Sequence, residues 1–354
     1  MSVVSTATLK TDLTTQILDT FAGEFAKHGI DCERPNAATL HMSYLDCHVD
    51  LDGQADALQI RIETPSENLL SQIRDELIER IEDVDAGLAK TIRWSGEIGV
   101  GSRPGNFRVL RVLRRHEIMP GLIRVTLEGS DVEALGEDGI HIKLMMPLQR
   151  GRSPVWPTIA ENGSTAWPRG DDELHARFVT IRSLRLADRE IDVDIAHHSG
   201  GLISDWAAIF GSGDKVGVMG PGGDMTLPKA DGAVLAGDYT GIAGVARLLE
   251  SVEGRVTGLV VGAAPSQEAL EAYLPETTAT IVALPPEDFA DRVAEVVRAY
   301  GSEHPVHYGW FGGEFETAQA LRTVFKTQFG LTKHDQLSVA YWRAGEPGHS
   351  SRAL

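Results

Sequence analysis

Leu13, Ile17, Phe21 and Phe25 recur four residues apart near the start of the chain. That spacing keeps them on one helical face and predicts a helix across residues 9–29. Three alternating runs follow, HMSYL, CHVDL and ALQIRIE, each of strand length, with Asp52-Gly53 as a turn signal between two of them. Helical spacing returns in SENLLSQIRDELIERI, where Ser66 is placed to cap and Leu69, Ile73, Leu77 and Ile81 form an apolar stripe. Residues 1–95 therefore read as a small α+β domain. It carries no catalytic constellation, and His41 and His48 lie on short strands where a structural or exposed role is the ordinary one.

The segment GEIGVGSRPGN is glycine-rich and reads as a linker. Beyond it the pattern is all-β: FRVLRVLRRHEI, LIRVTLEG, IHIKLMM, RFVTIRSL, EIDVDIA and DKVGVMG. Short strands at this density predict a closed barrel over residues 104–228. One insertion, from about Pro147 to His175, is rich in Pro, Trp and Gly and reads as a long loop of the functional kind. After Pro228 strand-like runs (GAVLAG, RVTGLVVG, TATIVAL, HYGWFGG, LSVAYWR) alternate with helical ones. This predicts an α/β domain over residues 229–350, a parallel sheet with helices on both faces that binds ligands at the carboxyl ends of its strands.

A chain of 354 residues suits two or three such domains. The net charge of −18 argues against nucleic acid or an anionic membrane as partner, but a local basic cleft can still hold an anionic small molecule. No stretch is apolar enough to insert in a membrane, and the N-terminus lacks the basic-then-apolar order of a secretory signal. Cys32 and Cys47 fit neither a metal site nor a disulfide scaffold. A cytoplasmic monomer is expected.

The stretch HHSGGLISDWAAIFGSGDKVGVMGPGGD, from His197 to Asp224, raises a choice between a metal site and a phosphate cradle. Neighbouring strand residues point to opposite faces, so His197 and His198 do not easily share one ion, and no metal ligand is assigned. Gly200 and Gly201 permit close backbone approach. The helix that starts near Leu202 buries Ile203, Trp206, Ala207 and Phe210 and turns its unpaired N–H groups outward, a diphosphate site to which Ser204 can add a hydroxyl. The same glycines also suit a plain strand-turn-helix corner.

A barrel followed by a nucleotide-type α/β domain resembles flavin reductases of the ferredoxin-reductase type. RFVTIR, Arg177 to Arg182, is similar to their Arg-x-Tyr-Thr motif. Further motifs resemble the siderophore-interacting protein family, the vibriobactin-utilisation type of ferric-siderophore reductase: HHSGGLISDWA, GDKV with GPGG, AGDYTG, WFGGE and YWRAG, in the family's order. The resemblance covers residues 106–348 and departs at Val179, where the family has tyrosine, and at Tyr239, where it has glutamate. The N-terminal unit resembles a small domain that often accompanies this family.

The resemblance implies FAD as cofactor, NADPH or NADH as donor, and a ferric siderophore as substrate. It implies that Arg177 grips phosphate, that position 179 packs on the flavin and that the Thr180 hydroxyl lies near its N5, which makes Thr180 the catalytic assignment. Phe178, Val179 and Arg182 complete the strand's share of the cofactor site. His197, Gly201, Leu202, Ile203 and Ser204 supply the helix start, Asp238, Thr240 and Gly241 the nucleotide turn, and Trp342 a flank of the flavin. Two other readings stay open: a general flavin or ferredoxin-type reductase with a different acceptor, and a flavin- or siderophore-binding protein without turnover.

Overall fold

The computed structural model describes residues 2–27, 32–44, 46–136, 139–149, 151–197, 201–223 and 226–346. They form two compact units: Met1–Arg108 with Pro147–Leu174, and Val109–Met146 with His175–Leu354.

The first unit holds β1 (Val3–Lys10), α1 (Thr14–Lys27), β2 (Cys32–Asn36), β3 (Thr39–Tyr44), β4 (Cys47–Gly53), β5 (Ala57–Thr64), α2 (Glu67–Val84) and a short α3 (Ala86–Ala89). Its sheet has the order β1-β5-β4-β3-β2 and is antiparallel throughout. Both predicted helices form, and Ile17, Phe21, Phe25, Leu77 and Ile81 are buried against Leu40, Leu51, Ile60 and Ile62 of the sheet. Ser66 caps α2, accepting from the Leu69 amide at 3.2 Å. The first helix starts at Thr14, because residues 3–10 are a strand that buries Ser5, Ala7 and Leu9.

The insertion, expected as a barrel loop, packs in this unit. Its short strands β9 (Thr158–Ile159) and β10 (Thr165–Ala166) pair with each other. The Trp94 indole donates to the Asn162 carbonyl at 2.8 Å, and Asp75 accepts from the Thr165 amide and hydroxyl, each at 2.6 Å. Trp156 lies against Phe107, with ring centroids 5.6 Å apart.

In the second unit each of the six alternating runs is a strand: β6 (Phe107–Met119), β7 (Leu122–Glu128), β8 (His141–Pro147), β11 (Leu174–Arg185), β12 (Glu190–Ala196) and β13 (Lys215–Gly222). They close a barrel in the order β11-β12-β7-β6-β13-β8. Val125, Leu127, Ile142, Leu144, Ile181, Val193 and Val218 fill it, and α4 (Leu202–Ile209) packs on that core with Ile203, Trp206 and Ala207.

The chain continues through β14 (Asp231–Gly237), α5 (Ile242–Ser251), β15 (Thr257–Ala263), α6 (Gln267–Tyr273), β16 (Thr280–Leu284), α7 (Phe289–Glu303), β17 (Tyr308–Glu314), α8 (Phe315–Thr327) and β18 (Gln336–Trp342). All five strands are parallel, in the order β16-β15-β14-β17-β18. The order reverses between β14 and β17, so a crevice opens at their carboxyl ends, the place where such sheets bind ligands.

Candidate functional site

The alternation of β11 decides what each residue of RFVTIR does. Val179 and Ile181 face the barrel core. Phe178 and Thr180 face the other way: the Lys143 ammonium sits 5.0 Å from the Phe178 ring, and Thr180 is buried. Val179, which stands where the resemblance puts a flavin-packing tyrosine, thus packs in the same apolar cluster as Ile203 of α4. Arg182 also turns from the barrel. Its guanidinium meets Glu250 at 2.7 Å and the Tyr273 carbonyl at 3.2 Å and lies 5.2 Å from the Tyr273 ring. It ties β11 to α5 and α6.

Arg177 is different. It is half-buried and donates to its neighbour's carbonyl, Ala176, at 2.7 Å, and among the described residues no carboxylate pairs with it. Burial lowers its pKa, though a guanidinium stays charged. Two residues earlier, His175 is buried with no partner for Nε2. Burial and the nearby Arg177 cation push its pKa down to about 4, so the ring is neutral.

Ile181 of β11 lies opposite Val193 of β12. Arg177 precedes that pair on β11, and His197 follows β12 on the way to α4. His198 and Gly200 lie outside the described residues. His197 is exposed, and its amide donates to the Gly121 carbonyl at 2.8 Å. Gly201 precedes α4 as its N-cap, and among the described residues no side chain caps that end. Leu202 is exposed, Ile203 anchors the helix on the barrel, and Ser204 is fully buried. A guanidinium without a carboxylate partner among the described residues and the amides of a helix start are the donor types that fit a diphosphate such as that of FAD.

Across the unit, Asp238 occupies the crevice between β14 and β17. One carboxylate oxygen accepts from the Thr240 amide (2.7 Å), the Thr240 hydroxyl (2.6 Å) and the Gly241 amide (3.2 Å). The other accepts from the Glu314 amide at 3.0 Å and the Trp342 indole at 2.8 Å. Burial raises the Asp238 pKa, against the pull of these bonds. The Thr240 and Gly241 amides, expected to face a nucleotide, are therefore taken by the Asp238 carboxylate, just ahead of α5. Gly241 serves packing: a Cβ there would collide with the Gly312 carbonyl. Trp342 remains 41% exposed, pinned at its indole nitrogen.

Two residues went unassigned in the sequence. His141 Nδ1 lies 3.2 Å from the Thr180 hydroxyl, and its Nε2 lies 3.3 Å from the Tyr341 hydroxyl. The signal for His141 was the alternation of IHIKLMM, which turns His141 and Lys143 to one face, where they meet Thr180 and Phe178.

The sequence matches two family profiles, Siderophore-interacting FAD-binding domain over residues 111–225 and Siderophore-interacting protein over residues 230–345. A siderophore utilization protein from T. fusca of known structure is 30% identical, with a TM-score of 0.58 over 70% of this chain and 96% of that one. The chain belongs to the siderophore-interacting protein family. Among curated relatives in this family's orbit, the ferric vibriobactin reductase of Vibrio cholerae is 27% identical over 253 residues, 68% of this chain and 90% of that protein. The NADPH-dependent ferric-chelate reductase of Escherichia coli is 34% identical over 126 residues, 35% of this chain and 48% of that protein. In this siderophore-interacting protein RFVTIR lies on β11, WFGGE ends β17 and YWRAG ends β18, so the family motifs converge on the two sides of the site just described. Both profiles begin beyond residue 110, which leaves most of the first unit outside them.

Proposed function

We propose that the protein is an NAD(P)H-dependent, FAD-mediated ferric-siderophore reductase. The carrying observation is Arg177, a half-buried cation of the RFVTIR strand with no carboxylate partner among the described residues of an acidic protein. A charge left unpaired at that depth costs stability unless an anion completes it. The reductase names of the relatives and the FAD-binding description of the matched profile supply the chemistry to go with that anion.

FAD, when bound, accepts a hydride from the nicotinamide and gives up electrons singly, as iron(III) requires. The chain's own residues bind and orient. Arg177 and the α4 amides would neutralise the diphosphate, with Ser204 buried in the same turn behind them. The resemblance puts Thr180 beside the flavin ring. Asp238 holds Trp342 and the start of α5 in one arrangement at the switch point, where the nicotinamide nucleotide would enter. Arg182 and Glu250 keep the barrel and the α/β sheet in register. Iron(III) arrives inside its siderophore and needs no protein ligand, and its weaker binding as iron(II) releases it. The setting proposed is the cytoplasm, where NAD(P)H is available, with the chain acting as a monomer.

The test is anaerobic. Purified protein titrated with FAD shows a bound-flavin spectrum that NADPH or NADH bleaches and ferric siderophore restores. Bleaching that no ferric chelate reverses favours a reductase for another acceptor, and a protein that takes up no flavin removes the proposal.

A further inference from the structure

His141, on β8, bridges two hydroxyls from different parts of the second unit: Thr180 of β11 through Nδ1 at 3.2 Å and Tyr341 of β18 through Nε2 at 3.3 Å. The rings of His141 and Tyr341 meet edge to face, with centroids 5.6 Å apart. Burial and the Arg247 cation push the His141 pKa down to about 4, so at neutral pH the ring carries one N–H and one lone pair. It therefore donates to one hydroxyl and accepts from the other.

The direction follows from the partners. A phenol is a stronger donor and a poorer acceptor than an aliphatic hydroxyl, and burial with the nearby Asp238 charge raises the Tyr341 pKa further, so it stays protonated. Tyr341 donates to Nε2, the imidazole proton sits on Nδ1, and Nδ1–H donates to Thr180. Having accepted from His141, the Thr180 hydroxyl directs its own hydrogen away from the ring. Among the described residues that hydrogen meets no acceptor.

We propose that Tyr341 and His141 are positioning residues that fix Thr180 as a one-way hydrogen-bond donor to the flavin. This rests on the reductase reading, in which the flavin ring lies against Thr180. The consequence is a direction for the electrons. Oxidised flavin presents a lone pair at N5, and two-electron reduction places a hydrogen there. A hydroxyl held as a donor pairs with the oxidised form and opposes the N–H of the reduced form. The chain therefore makes the reduced flavin a stronger reductant, the sense needed to drive electrons onto tightly chelated iron(III).

Two measurements test this on the full-length protein. In flavin-free protein with 15N-labelled histidine, the His141 resonance, assigned by its loss in His141→Gln, should show the Nδ1–H tautomer, and Thr180→Val should shift it. An Nε2–H tautomer overturns the chain. In the flavin-loaded protein, Tyr341→Phe should leave the FAD dissociation constant within about threefold, since one remote bond is lost. It should raise the midpoint potential by on the order of 30 mV, the equivalent of a tenfold shift for two electrons. Flavin bound with an unmoved potential overturns the proposal alone. A wild type that takes up no flavin overturns the reductase reading, and the role of Thr180 with it.

Discussion

Replacing Arg177 by methionine should have opposite effects on the empty and the flavin-loaded protein. The side chain is half-buried, its one bond among the described residues is to the Ala176 carbonyl, and burial lowers its pKa, so the charge gains little from the fold. Methionine keeps the apolar stem and removes the charge. The empty variant should be as stable as the wild type or slightly more so, within about 1 kcal/mol. With FAD the order reverses. Losing a charge-assisted bond to a diphosphate costs roughly 1.5–3 kcal/mol, about a ten- to hundredfold rise in the dissociation constant. At a flavin concentration of 100 times the wild-type constant, ligation stabilises the wild type by about 2.7 kcal/mol, and the variant should lose about 1.3–2.3 kcal/mol of that. Flavin fluorescence titration gives the affinity, and thermal melts with and without FAD give the stability. A variant that binds FAD as tightly as the wild type would refute the reasoning. An empty variant destabilised by several kcal/mol would show that Arg177 holds the fold instead.

Gly241→Ala should cost more than about 4 kcal/mol and leave little folded protein, because the methyl group meets the Gly312 carbonyl, and near-wild-type melting would contradict the close approach of α5 to β17. Val179→Tyr should lower stability by about 1–3 kcal/mol without tightening FAD, since position 179 packs on the barrel core, and a stable variant with higher affinity would show open space there. His175 and His141 both titrate near 4 instead of near 6.5, so the unfolded chain takes up protons between those values while the folded one does not. Stability is therefore complete above pH 6.5 and falls as the pH drops towards 4, by up to about 1.4 kcal/mol per unit for each ring. Urea denaturation at pH 7 and pH 5 should show a smaller drop in His175→Gln than in wild type, and equal drops would remove His175 from the account.

The barrel and the parallel sheet were legible because their strands are continuous runs: all six barrel runs and all five later ones became strands. The strand Val3–Lys10 was hidden because two of its buried positions are Ser5 and Ala7, too small to mark an apolar alternation. At the site, Arg177 was pointed out by the resemblance and the start of α4 by its glycines and helix polarity. The bonds of Asp238 to Glu314 and Trp342 were not legible, because distance in sequence conceals those contacts. The same holds for Thr180, His141 and Tyr341, which come from three strands. The Arg182–Glu250 pair was likewise invisible, because its partners lie 68 residues apart in sequence.

The insertion that completes the first unit also sets an order of events during synthesis. The chain leaves that unit after Arg108, makes β6, β7 and β8, and returns at Pro147. Trp94 and Asp75 are therefore made well before Asn162 and Thr165, their partners. At about 5–20 residues per second the ribosome needs several seconds to cover that interval. During it the N-terminal unit is unfinished and three apolar barrel strands wait without β11, β12 and β13 to close them. A nascent chain paused there exposes two incomplete cores at once, so the interval is where a chaperone would have most to cover, and where synonymous changes of codon speed would act on the yield of folded protein.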